Sequence, residues 1–145
     1  MHLSRRHRVG VVRPNEIIYA RLITVCSKAE VPDIETARFF LASAHKDGIK
    51  PTVFMFTSAI WVAERIANFS FAKELLTEMK AEGIAANSIS YAGVISAAAK
   101  ADQLEEAFAL YHESRSAGCS ATATTYNVST RSCLMHFASC TCFSP

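Results

Sequence analysis

Charge of either sign is scarce in this chain. Lysine and arginine number 15 against 13 acidic residues, so the formal net charge is +2 and charged residues make up 19% of the 145. That balance excludes recognition of a polyanion by bulk charge, and any such role must rest on where the cations fall. Long apolar runs are missing too, so no membrane-spanning helix and no membrane partner are expected. The five glycines are all isolated, which excludes a glycine-rich loop that cradles phosphates. No aspartate cluster suggests a metal-dependent nuclease. The H-x-E with P-C-x-x-C signature of zinc deaminases is absent. His45 and His112 lie in polar stretches without an acid–base partner. The sequence therefore points away from an enzyme, and no cofactor or small-molecule substrate is expected.

Cysteine is limited to Cys26, Cys119, Cys133, Cys140 and Cys142, an odd count at irregular spacing that fits reduced thiols better than a disulfide framework. Cys133, His136, Cys140 and Cys142 do not follow the usual paired spacing of zinc ligands, so no metal is expected. The opening "MHLSRRHRVGVVR" is basic and free of acid. It has two readings: part of a mitochondrial targeting peptide, or a basic loop from a longer protein.

What is abundant is hydrophobic residues, 50% of the chain, enough to bury a sizeable core in one compact domain or a short repeat array. The repeat array is favoured by a period. Aromatics stand at Tyr19, Phe56, Tyr91 and Tyr126, with steps of 37, 35 and 35 residues. Gly48, Gly83 and Gly118 keep steps of 35, as do Ala37, Ala72 and Ala107. Lys28, Arg65 and Lys100 each lie nine residues after an aromatic. Four columns at one interval mean stacked, near-identical units.

Each unit reads as two helices. The first runs from about the aromatic to the basic residue, as in the alanine-rich "SYAGVISAAAK". The second carries an apolar stripe at offsets of three, six and seven: Ile34, Ala37, Phe40 and Leu41, then Phe69, Ala72, Leu75 and Leu76, then Leu104, Ala107, Leu110 and Tyr111. Asp33, Asn68 and Asp102 are the expected openings of the second helices, Asp102 with Glu105 at capping-box spacing. Gly48, Gly83 and Gly118 are expected to end them in the left-handed conformation. The expected fold is all-α, a right-handed superhelical solenoid of antiparallel helix pairs.

The period of 35, the closing phrases "GIKPT", "GIAAN" and "GCSAT", and the reopening phrases "VFMFTSAI", "SISYAGVI" and "ATTYNV" resemble the pentatricopeptide repeat family in its plain form. The resemblance extends over about residues 13 to 127. It divides the chain into a basic segment over 1–15 as the remnant of a preceding unit, units over 16–52, 53–87 and 88–122, and an incomplete unit with a divergent Ser/Cys-rich tail over 123–145. The first unit departs by two residues inserted in "KAEVPDIETA". Pattern loss at both ends suggests an array truncated or spliced into foreign sequence.

What the resemblance implies is single-stranded RNA binding at one base per unit, in mitochondria or chloroplasts, in transcript processing, stability or translation. In the family, the residue after the aromatic and the last residue of the unit together choose the base. Here those pairs are Ala20 with Thr52, Thr57 with Asn87, and Ala92 with Thr122, while Asn15 and Asn127 are halves of incomplete pairs. Only Thr57 with Asn87 matches a familiar combination, one the family associates with adenine. The residues themselves add two groups at equivalent places on the first helices. Ile17, Phe54 and Ile89 can stack on bases, and Lys28, Arg65 and Lys100 can follow a phosphate backbone. The alternative is a protein-binding helical adaptor like the 34-residue tetratricopeptide repeats.

Overall fold

The structure, a computed structural model, describes residues 15–120 together with Ala123, Thr125 and Asn127. Among the described residues the chain is all-α, with six helices of 13 residues: α1 (Glu16–Lys28), α2 (Ile34–Lys46), α3 (Val53–Arg65), α4 (Phe69–Ala81), α5 (Ser88–Lys100) and α6 (Leu104–Ser116). They form three hairpins, stacked as a helical-repeat solenoid, in agreement with the period.

Side-chain oxygens start most of these helices. The first helices begin three residues before their aromatics, because Asn15, Thr52 and Asn87 cap them. Their oxygens accept from the backbone N–H of Ile18, Met55 and Ser90 at 3.0, 3.4 and 2.8 Å. Asp33 caps α2 by accepting from the N–H of Glu35, and Asn68 caps α4 by accepting from that of Phe71, both at 3.0 Å. Each such cap contributes about 1 kcal/mol.

Asp102 departs from expectation. It does not cap α6; it adopts φ 57°, and Gln103 stands at the cap without a side-chain bond. The reason is the brevity of the link. The turn must first close α5, which it does with Asp102 N–H on Ala99 O and Gln103 N–H on Ala98 O. That closure places Asp102 in the left-handed region, which aspartate tolerates. Ala67 adopts the same conformation, φ 55°, between α3 and α4, whereas no residue between α1 and α2 does. The two inserted residues of the first hairpin relieve that turn.

Second helices close as expected. Gly48, Gly83 and Gly118 have φ of 72–76°, and the next residue's N–H reaches back to Ala44, Met79 and Ser114 O. These are Schellman closures. Ile49, Ile84 and Cys119 then fold against the core. Ala37, Ala72 and Ala107 are all buried, together with Leu41, Leu75, Leu76 and Leu110 of the same stripe.

The first helices pack on one another, α1 on α3 and α3 on α5, while α2 and α4, or α4 and α6, do not approach. Small residues permit the inner contact. A Cβ on Gly93 would lie 2.6 Å from Cγ2 of Ile60. Long charged side chains bridge the splayed outer row instead: Arg38 to Glu74, Lys73 to Glu106 and Lys80 to Glu113. Exposed pairs of this kind are each worth at most about 1 kcal/mol. The third is more elaborate, since the Tyr91 hydroxyl also donates to Glu113 at 3.1 Å and Lys80 lies over the Tyr91 ring.

Two outcomes are expected. Gly93→Val should destabilise the array by about 1–3 kcal/mol through overpacking against Ile60, measured by chemical denaturation; an unchanged midpoint would mean that α3 and α5 are not in close contact. The second concerns acid. The Lys80 hydrogen bond holds the Glu113 carboxyl below its ordinary range against the upward pull of burial, and Tyr91 adds to the lowering. Bonds from the Thr36 hydroxyl and the Glu35 N–H likewise lower Asp33. A carboxyl lowered on folding stabilises above its unfolded pKa, and that contribution is lost as pH falls through the folded value. Melting temperature should therefore hold from about pH 7 to about pH 5 and drop as pH falls below about 4, and Glu113→Gln should flatten part of the drop.

Candidate nucleic-acid interface

The inner row of first helices presents a repeated apolar feature. Ile17, Phe54 and Ile89 occupy the second residue of α1, α3 and α5 and are 60%, 61% and 50% exposed. Two residues further along, on the opposite side of each helix, the aromatics point inward: Tyr19, Phe56 and Tyr91 are buried. Isolated exposed hydrophobics are ordinary on protein surfaces. Three at one helical position in successive hairpins form a row.

The residues after the aromatics divide into two kinds. Ala20 and Ala92 are buried, at 7% and 3% exposure, and have no polar group to offer. Thr57 is half-buried. Its hydroxyl lies 2.7 Å from Val53 O and 3.0 Å from Ser90 Oγ across the α3–α5 contact. Asn87 is exposed at the start of α5, with its Oδ1 committed to the N–H and the hydroxyl of Ser90. Thr57 and Asn87 are thus brought together through Ser90. Thr52 is half-buried, and its hydroxyl serves as the cap of α3. Asn127 is helical and exposed; Thr122 lies outside the described residues, as do Cys133, His136, Cys140 and Cys142.

Lys28, Arg65 and Lys100 are the last residues of the three first helices, where a cation also complements the helix dipole. The structure gives two of them a further partner that their spacing did not reveal. Arg65 donates to the carbonyls of Ser27 and Ala29 at the end of α1, at 2.5 and 2.7 Å. Lys100 meets the Glu64 carboxylate of α3 at 2.8 Å. Glu64 is only 8% exposed and also accepts from the Ser96 hydroxyl at 2.8 Å. Ser27 and Glu64 are equivalent positions, so each cation reaches back to the penultimate residue of the preceding first helix. Among the described residues Lys28 makes no ion pair or side-chain hydrogen bond, and residues 1–14, which precede α1, lie outside the described residues. A guanidinium carries five donors and an ammonium three, so these ties leave donors for an anion. The signal for the tie was Glu64 itself, the one acid in "VFMFTSAIWVAER".

The large groove, about 1490 Å³, runs along the second helices between residues such as Arg38, Phe69 and Glu74. Its rim cations Arg38 and Lys73 are already paired with carboxylates. Among the described residues no group of three His, Cys, Asp or Glu is placed to hold a metal, and no helix is long and apolar enough to cross a membrane.

Comparison with known proteins gives a consistent result. The family model for the pentacotripeptide-repeat region of PRORP matches residues 5–135. Among solved structures, the chain is similar to the PPR domain of Arabidopsis thaliana protein-only RNase P 1, crystallised in complex with tRNA. The TM-score is 0.78 at 16% identity, over 91% of this chain and 69% of that one. No curated protein sequence matches.

Replacing Lys100 with methionine keeps the aliphatic stem but strips the buried Glu64 carboxylate of its counter-charge. Stability should fall by about 1–3 kcal/mol, and Glu64→Gln in the same chain should recover most of it. A single Lys100→Met variant as stable as the parent would show that the pair does not tie α3 to α5.

Proposed function

The chain belongs to the pentacotripeptide-repeat family, and from that premise we propose that it binds RNA along its row of first helices. The observation that carries this reading is the row formed by Ile17, Phe54 and Ile89. Exposed apolar groups at regular spacing offer faces against which successive unpaired bases can pack, and the Phe54 ring can stack on one of them at about 1–3 kcal/mol. Stacking of this kind requires splayed-out bases, so the target is a single-stranded segment. The tRNA bound to the similar PPR domain favours such a segment within a folded RNA.

Base selection in this reading falls on Thr57 with Asn87 and favours adenine. The buried Ala20 and Ala92 leave their units, with Thr52 and Thr122, unable to select through that side chain. Lys28, Arg65 and Lys100 supply phosphate contacts with the donors their ties leave free, and Asn127 continues the row. The role is binding rather than catalysis, even though the similar domain belongs to an RNase. The cellular setting we propose is a mitochondrion or chloroplast, in RNA processing, stability or translation. Its support is the character of the family and the basic amino-terminal stretch.

Fluorescence anisotropy with labelled oligonucleotides and tRNA tests the reading. Binding to a uridine oligomer carrying one adenine should exceed binding to the all-uridine oligomer. Affinity should fall with salt by a logarithmic slope of roughly 0.7 per phosphate contacted, and Phe54→Ala should weaken binding about tenfold. Absence of binding to every RNA at low salt, with capture of protein partners instead, would favour the helical adaptor.

A further inference from the structure

The pair Thr57 and Asn87 is bridged by a side chain from neither of their expected roles. Ser90 is wholly buried, on the first turn of α5, one residue before the aromatic. Its Oγ lies 2.9 Å from Asn87 Oδ1 and 3.0 Å from Thr57 Oγ1. The equivalent residues of the first two hairpins are Ile18 and Met55, which have no hydroxyl. Of the two junctions α1–α3 and α3–α5, the bridge therefore belongs to the second.

We propose that Ser90 is a specificity-positioning residue, fixing Thr57 as a hydrogen-bond acceptor and Asn87 as a donor toward the base. The inference rests on the base-reading role proposed above. Three oxygen–oxygen contacts meet here: Thr57 with Val53 O, Thr57 with Ser90, and Ser90 with Asn87 Oδ1. Two hydroxyl protons serve them. When both point inward, Ser90 donates to Asn87 and Thr57 donates to Ser90 or Val53. If Thr57 turned its proton outward, one proton would remain for three close oxygen contacts, and two of these would be lone pair against lone pair. The Thr57 hydroxyl thus shows solvent only its lone pairs. Asn87 Oδ1 accepts from the Ser90 N–H as well, so the amide turns its two N–H donors outward.

An acceptor beside a donor complements the Watson–Crick edge of adenine, with the 6-amino group donating to Thr57 and N1 accepting from Asn87. Guanine in the same seat sets O6 against the Thr57 lone pairs and N1–H against the amide hydrogens, reversing both contacts. Without Ser90, a single inward contact, Thr57 with Val53 O, opposes rotation of the hydroxyl. Thr57 can then donate to O6, and discrimination relaxes.

The test compares affinities for matched oligonucleotides carrying adenine or guanine at the single variable position, using the full chain. Ser90→Ala is expected to lower the adenine-to-guanine ratio by roughly two- to tenfold, with affinity for the adenine oligomer little changed. Ser90→Thr, which keeps the hydroxyl, should restore the ratio. Should Ser90→Ala fail to fold, Ser90→Cys keeps the shape with a weak donor and should lower the ratio too. A folded Ser90→Ala or Ser90→Cys chain with the parental ratio, in the same assay where Thr57→Ala abolishes it, overturns the role of Ser90 and leaves the base-reading proposal standing. A ratio unmoved by Thr57→Ala and Asn87→Ala as well would overturn both.

Discussion

The close approach of successive first helices is the constraint on which the rest of this molecule depends. Where α5 meets α3, Gly93 leaves no room for a side chain against Ile60, and the small residues Ser90, Ser96 and Ala97 lie one turn away. The backbones of the outer helices stay apart from hairpin to hairpin and are joined by long side chains. A row that packs tightly on one side and splays on the other follows the shorter arc on the tight side. Equivalent first-helix positions are thereby held side by side, which is what turns Ile17, Phe54 and Ile89 from separate residues into a surface.

Close helices made of small residues would be featureless if they were also wholly apolar. The buried serines supply the register. Ser58 meets Thr24 at 3.1 Å, Ser90 meets Thr57, and Ser96 meets Glu64. Each joins one first helix to the one before it, and each satisfies a buried hydroxyl whose isolation would be costly. Non-directional packing lets one helix slide on another; a hydrogen bond with one partner does not. The positions proposed to contact a ligand are therefore located by polar groups beneath the surface, next to the glycine and alanines that allow the approach.

Much of the fold was legible from periodicity. The columns of glycine, alanine and aromatic identified three equivalent hairpins, and the stripe at offsets three, six and seven gave the buried side of the second helices. The glycines announced their left-handed conformation because no other residue adopts it so cheaply. A period shows which residues are equivalent, however, and is silent on what lies opposite them. The partners of Arg65 and Lys100 lie 36 to 38 residues back along the chain. The dual role of Asn15, Thr52 and Asn87 as helix caps was hidden for a related reason, since their spacing matches the unit boundary as well as the helix start. Asp102 misled because its capping-box spacing is a local rule. The short link between α5 and α6 imposed a different one, closing one helix before opening the next.

The cation column shows how one residue type can meet two demands. A lysine or arginine at the end of a first helix faces the carbonyl end of its own helix, the preceding hairpin and solvent. Arg65 takes up backbone carbonyls and Lys100 a carboxylate, although both reach to the same place one hairpin back. The difference has an electrostatic consequence. Arg65 keeps its full positive charge because its partners are neutral, whereas the charge of Lys100 is largely cancelled by Glu64. Two cations in equivalent positions thus present unequal fields. In the proposed reading, an anionic chain lying on the inner row would be held more firmly at Arg65 than at Lys100. The α3–α5 junction next to it, where Thr57, Ser90 and Asn87 meet, would interact with its bases through hydrogen-bond geometry more than through charge.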